Sequence, residues 1–289
     1  MKCLLGAVLL ISMCAPVRAL EAQPPVHGLW VWKTASVLGT PQGAAALRQF
    51  CKSAGISEIY VSFPARADGR EEGELVNLIS LLHESHTRVE ALISSVDADE
   101  PGAPRAKLLA HARAVLQFNT RHPGARFDGI HLDIEPQQRP ENKGPGNLKF
   151  LDGLVAAYRE VAALTQPAGL SQNADIQMKL LKGDLEQRRA LLRSIPRVTL
   201  MLYELSGPDD GATAAEKKEK LRERDVELLD AAYQGLGDEG LAKMAIALRT
   251  PDYGALLSQM LATLDEVNRA NPHYLGWARH SYNDTLAPP

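Results

Sequence analysis

Strand-like and helix-like runs alternate along this chain, and that alternation limits its possible folds more than any other feature. Short apolar runs fall at 27–33, 57–63, 88–96, 127–135, 174–181, 197–205, 242–249 and 274–282. Longer helix-like stretches separate them at 42–54, 72–86, 103–121, 146–165, 184–194, 212–235 and 252–270. Gly55 stops the first of these and Pro123-Gly124 the third. Strands alternating with helices predict a parallel α/β sheet, and eight strands is the count that closes a (β/α)8 TIM-like barrel. The last helix is expected to be missing or very short, because the chain ends about seven residues after the eighth run. A doubly wound open sheet is the competing layout. It would want a glycine-rich turn after the first strand, where Lys33-Thr34-Ala35-Ser36 supplies none. With no internal repeat and no low-complexity linker, residues 20–289 read as a single barrel domain of catalytic type.

Residues 1–19 read as a secretion signal peptide. Lys2 is followed by a mostly apolar run to Val17, too short to span a membrane comfortably, and Val17-Arg18-Ala19 offers small residues for cleavage. The expected location is periplasmic or extracellular, with no membrane association once the signal is removed. Cys3 and Cys14 leave with it, so the mature chain keeps Cys51 alone, in an apolar helical pattern that fits a buried thiol. That leaves no internal disulfide and no cysteine-based zinc site, and no cofactor is expected. The formal charge is −3, and losing Lys2 and Arg18 makes it more acidic by two. A mildly acidic chain lacks the electrostatic footprint of a nucleic-acid binder. It is expected to act as a monomer.

The strongest chemical signal lies in the fourth strand. Side chains alternate with period two along a strand. In 129–135, Ile130, Leu132 and Ile134 therefore share one face and Gly129, His131, Asp133 and Glu135 the other. In a barrel the aliphatic face meets the helices, so the titratable face points inward and rises toward the C-terminal mouth, where barrel enzymes do their chemistry. Alternate residues stand ~7 Å apart, close enough for Asp133 and Glu135 to raise each other's proton affinity. Glu135 at the rim suits a general acid, and deeper Asp133 suits a positioning role. The same three side chains would also serve a buried polar network or, with ligands from elsewhere, a metal site.

The run 127–135, Phe-Asp-Gly-Ile-His-Leu-Asp-Ile-Glu, resembles the D-G-x-D-x-D-x-E signature of glycoside hydrolase family 18, the chitinase-like barrels. Asp128 and Gly129 match its start, Asp133 the aspartate before the acid, and Glu135 the proton donor. His131 stands where the family has aspartate, a divergent HxDxE. Met201-Leu202-Tyr203-Glu204 on the sixth run is similar to the family's M-x-Y-D, and Trp277 on the eighth falls where the family places a tryptophan under the sugar. The resemblance implies a glycosidase in which the substrate's acetamido oxygen attacks the anomeric carbon. Glu135 would protonate the leaving oxygen, Asp133 hold the acetamido nitrogen and Tyr203 its carbonyl. His131 joins this catalytic set by bonding Asp133.

Further residues fit a poly- or oligosaccharide cleft. Trp30 and Trp32 share one face of the first strand, and with Trp277 they either stack on sugar rings or fill the core. Lys33, Lys179, Arg249 and His280 fall near strand ends, as rim ion pairs or as partners of an acidic sugar. Met201 and Glu204 join the substrate-binding set, and Tyr282 is a weaker candidate. Asp97 and Asp99 follow the third strand, where turn formation is an equal role. The expected protein is an exported glycoside hydrolase. The alternatives are a catalytically silent carbohydrate-binding barrel and a metal-dependent barrel hydrolase of esters or amides.

Overall fold

The computed structural model describes residues 24–39, 41–64, 69–144, 146–203, 212–237 and 240–285. Its strands are β1 (Val26–Val31), β2 (Glu58–Ser62), β3 (Arg88–Ser95), β4 (Gly129–Ile134), β5 (Ser171–Gln177), β6 (Arg197–Met201), β7 (Lys243–Arg249) and β8 (Tyr274–His280). Each pairs in parallel with its neighbours, and β1 pairs with β8, so the sheet closes into a barrel. That closure excludes the doubly wound open sheet. The helices are α1 (Thr34–Leu38), α2 (Pro41–Ala54), α3 (Gly69–His83), α4 (Ala103–Arg121), α5 (Leu151–Thr165), α6 (Leu185–Arg193), α7 (Ala214–Tyr233), α8 (Thr250–Tyr253), α9 (Leu257–Asn268) and α10 (Tyr282–Thr285). The last is the very short helix expected after β8. The proposed signal segment lies outside the described residues, and among those described no helix is long and apolar enough to cross a membrane.

Period-two alternation sorts every strand into two faces. Leu29, Val31, Ile59, Val61, Val89, Ile93, Ile130, Leu132, Ile176, Val198, Ile246 and Leu248 point outward into one continuous core with the helices. Burying such a side chain contributes about 1.5–3 kcal/mol, so this layer holds the helices to the barrel. Cys51 belongs to it; its thiol is buried and pushed up to about 12 by desolvation. Local devices set the helix ends. Asp184 and Gln187 form a capping box on α6, and Thr213 and Glu216 form one on α7. Asn119 of α4 bonds both backbone groups of Phe127, fixing the chain's entry into β4.

The strand read at 174–181 begins three residues earlier, at Ser171. Its inward residues Asn173, Asp175 and Gln177 are all polar, so an apolar pattern starting there was invisible. Residues 178–182 form a 3-10 turn instead.

The barrel interior is largely ionic at its N-terminal floor. Arg197 of β6 donates to Glu58 at 2.5 Å and to Glu90 at 3.0 Å, and Arg88 donates to Glu58 at 3.2 Å. Both carboxylates are fully buried. Burial and Glu90 together raise the Glu58 carboxyl pKa against the pull of the two arginines. For Glu90, burial is outweighed by Arg197, His131 and Arg88, and its pKa falls below the ordinary value. Two glycines make room for this cluster. A Cβ on Gly129 would sit 2.3 Å from Ser171 Oγ and 2.8 Å from the Glu90 carboxylate, and one on Gly28 would sit 2.3 Å from the Tyr60 hydroxyl.

Removing one partner of a buried pair leaves an uncompensated charge. Arg197→Met is therefore expected to destabilise the fold by about 3–5 kcal/mol at pH 7, read from urea unfolding. Glu90's lowered pKa contributes stability above its unfolded value that disappears as pH falls through its folded value. The deficit of the variant should accordingly shrink from pH 7 to pH 4; a deficit that is constant with pH would refute this account.

Candidate active site

Strand β4 delivers the site in the orientation its alternation predicts. Ile130, Leu132 and Ile134 are buried under the helices, while His131, Asp133 and Glu135 rise in that order along the inner face. Asp128 is structural: its carboxylate accepts the Val89 N–H at 2.8 Å and lies 2.9 Å from His83 Nε2, locking β4 to β3.

His131 is fully buried and its two nitrogens are both engaged. Nε2 lies 2.8 Å from Asp175 Oδ1, and Nδ1 lies 3.4 Å from Glu90, an ion-pair distance without hydrogen-bond geometry. Tyr60 stacks on its ring at 3.7 Å, and Trp30 meets it edge-on at 5.8 Å. Burial alone would lower this imidazole's pKa. Asp175 and Glu90 outweigh that and raise it to about 9, so His131 is an imidazolium at neutral pH. Asp175 also accepts the Trp30 indole N–H at 3.2 Å. With Nε2 bonded to Asp175 and Nδ1 facing Glu90, the histidine is part of a buried ion-pair network.

Above this pair stand the two carboxyl groups. Asp133 is 7% exposed and Glu135 half-buried, the expected depth order. Burial first, then Asp175 and Glu135, push the Asp133 pKa well above the usual carboxylate range. Glu135 is raised by burial, against hydrogen bonds from Gln177 and Gln137 and with a further push from Asp175. Those amides donate at 2.9 and 3.2 Å, and Gln138 donates to the other carboxylate oxygen. Two carboxyl groups that hold protons more tightly than usual, side by side at a barrel mouth, can deliver a proton to a ligand.

Both open on a cleft of about 490 Å³ that Trp32, Asp97 and His111 also line. Trp32 is shared with a second cleft of about 760 Å³ beside Lys33, Arg70 and Glu74. Its indole N–H donates to His280 Nε2 at 2.9 Å, which fits the neutral imidazole that burial favours there. Tyr203 lines a third hollow with Met201 and Gln177. Burial, then Asp175, Asp133 and Glu135, raise its hydroxyl pKa, and the Arg249 guanidinium lies 5.6 Å from its ring. Arg249 itself is tied to Asp252 at 2.6 Å, a rim ion pair. Asp99 is likewise structural, paired with Arg139 at 2.7 Å so that the loops after β3 and β4 are stapled together.

Two expected sugar platforms are elsewhere. Trp30 is completely buried inside the barrel and holds Asp175. Trp277 faces outward: it stacks on His27 at 4.0 Å and donates to Asp265 of α9 at 3.1 Å. Strand parity explains this, since Ala278 and His280 take the inward positions of β8. Tyr282 packs on Phe50 in the outer core. Glu204 lies outside the described residues. Asp175 and Gln177 are the site residues that sequence reasoning missed. Both already fell in the run 174–181; starting β5 at Ser171 adds Asn173, so the inner face reads Asn-x-Asp-x-Gln, the same alternation that exposes His-x-Asp-x-Glu on β4.

No protein-family model matches the chain, and no curated protein sequence matches it. Solved structures do match. A chitinase from Bacteroides thetaiotaomicron aligns with a TM-score of 0.56 at 10% identity, over 91% of this chain and 92% of that one. A chitinase from Chromobacterium violaceum ATCC 12472 aligns at 0.54 and 13% identity, over 89% and 94%. The spore cortex-lytic enzyme SleL of Bacillus megaterium QM B1551 aligns at 0.51 and 14% identity, over 80% of this chain and 52% of that one. The chain thus spans about half the length of SleL. At such identities the likeness is one of fold: this chain is a closed (β/α)8 barrel of the kind on which those chitinases are built.

Proposed function

We propose that this chain is an exported glycoside hydrolase that cleaves a glycosidic bond in an N-acetylated or amino-sugar polysaccharide, with Glu135 as general acid. The observation that carries the reading is the state of Glu135: a half-buried carboxyl of raised proton affinity, aimed by three glutamine amides into a cleft that it shares with Asp133. The protonated Glu135 gives its proton to the leaving oxygen. Asp133 takes the acetamido N–H and Tyr203 its carbonyl oxygen, so that this oxygen attacks the anomeric carbon from within the substrate. Among the described residues Tyr203 Oη has no hydrogen-bond partner, which leaves it available to that carbonyl. Trp32 offers the sugar platform. The aspartate that the family resemblance expects at 131 has in effect moved to β5: the His131 imidazolium and Asp175 form a pair, and Asp175 supplies the negative charge beside Asp133. The N-terminal segment and the cleft chemistry together favour a periplasmic or extracellular enzyme acting as a monomer.

Glu135→Gln keeps the shape and one carbonyl oxygen to accept from Gln177 and Gln137, but cannot give up a proton. Incubation with a panel of polysaccharides, read by mass spectrometry of released products, should show turnover reduced by about 10²–10⁴-fold. The urea midpoint should stay close to that of the parent chain. Unchanged turnover would remove Glu135 from the reaction, and binding with no product from either protein would favour the silent carbohydrate-binding barrel.

Asp175→Asn tests the electrostatics separately. The Asp175 charge raises Glu135, and a general acid works only while protonated, so its removal should let Glu135 lose its proton at lower pH. The alkaline limb of the kcat/KM profile is expected to move toward acid by about one pH unit. A limb that stays in place would show that Asp175 does not tune the acid.

A further inference from the structure

On the far side of Glu135 from Trp32, the mouth of the barrel changes its electrical character. Gln177, which donates to Glu135, also lines two adjoining hollows of about 370 and 350 Å³. Lys179 and Lys182 line both; Arg224 of α7 faces the first and Lys143 the second. No Asp or Glu lines either hollow among the described residues. In a chain of net charge −3 this is a local reversal of sign.

Lys179 is the built part of this bay. It sits in the turn that follows β5, two residues beyond Gln177. Its ammonium donates to the Asn142 carbonyl at 3.0 Å and lies 5.3 Å from the centre of the Phe150 ring. It is half-buried and has no carboxylate partner among the described residues. The neighbouring Arg224 guanidinium is likewise held by a neutral group, the Met178 sulfur at 3.1 Å. Two cations held in place by neutral groups thus face the bay with no acidic group among its described lining residues to neutralise them.

We infer that this bay binds a carboxylate-bearing sugar, so that the glycan the chain acts on is acidic on the Lys179 side of the bond next to Glu135. This rests on the glycosidase reading and narrows its substrate class. A lysine ammonium is a compact point charge suited to a single carboxylate. A neutral chain gains nothing from several converging cations, and a deacetylated amino-sugar chain is repelled by them. The carboxylate could belong to the sugar ring, as in a uronic acid, or to a lactyl ether on it; both present the same group to the bay.

The test measures binding by titration calorimetry on Glu135→Gln protein, which removes turnover from the readout. The probes have equal length: a neutral N-acetylglucosamine oligomer, its deacetylated form, one alternating with uronic acid, and one alternating with the lactyl-ether sugar. At least one acidic oligomer is expected to bind about tenfold or more tighter than the neutral one at low salt, with the gap narrowing as salt rises. The two acidic arms tell the sources apart. Lys179→Met should collapse that preference, and Lys182→Glu, at an exposed position, should weaken it without threatening the fold. Equal binding of acidic and neutral oligomers, a preference that survives both substitutions, or binding of none of them would overturn the bay. Failure here leaves cleavage of neutral glycans by the parent chain standing. A Lys179-dependent preference in a chain that cleaves nothing would instead retain the bay and remove the enzyme.

Discussion

The interior of this barrel is organised by one line of alternating charge. Arg197 meets Glu90, Glu90 faces His131, and His131 meets Asp175, each within ion-pair distance and all but the arginine fully buried or nearly so. Buried charges are tolerated only when paired, and here every member has a neighbour of opposite sign on a different strand. The line joins β6, β3, β4 and β5, so it also fixes which side chains of those strands stand level. Barrels more often fill this space with branched aliphatic residues. In this one most branched aliphatic residues lie on the outer face, and the inner face is given to polar groups, a few aromatic rings and small or single aliphatic residues such as Leu92, Ala247 and Ala278. Burial does most to raise the proton affinity of the carboxyl groups at the mouth, and the negative charge of Asp175, where the line ends beside Asp133, adds to it.

How much of this was readable in the sequence depended on whether a residue's neighbours lie on its own strand. The orientation of β4 was legible, because Ile130, Leu132 and Ile134 mark the outer face and parity then assigns His131, Asp133 and Glu135 to the inner one. The closed barrel was legible from the strand count. Asp175 was not: it lies inside the run 174–181, but nothing local to it announces His131 and Trp30 as its partners. The partners of the floor cluster were equally hidden. Glu58, Glu90 and Arg197 are far apart in sequence, and nothing local to any of them announces the others. Trp277 failed for a different reason: its residue type suggested a sugar platform, but its parity on β8 turns it toward α9 and into a bond with Asp265.

The site itself divides into a rigid base and an adjustable rim. His131, Trp30 and Tyr60 are locked by mutual ring contacts at 3.7–5.8 Å and by Asp175. Glu135 is held more lightly, by glutamines that themselves line the clefts. The glutamines therefore act twice: they line the clefts and, by donating to Glu135, hold its proton affinity down against burial. The staple of Arg139 to Asp99 binds the loops that carry much of the rim, so the wall beside Glu135 moves as one piece.

Trp32 belongs to two clefts at once, and its plane is set by a single hydrogen bond to His280 across the seam where the first and last strands meet. The ring is therefore a wall common to both clefts. Through His280 of β8, its tilt is coupled to the strand pairing that finishes the barrel.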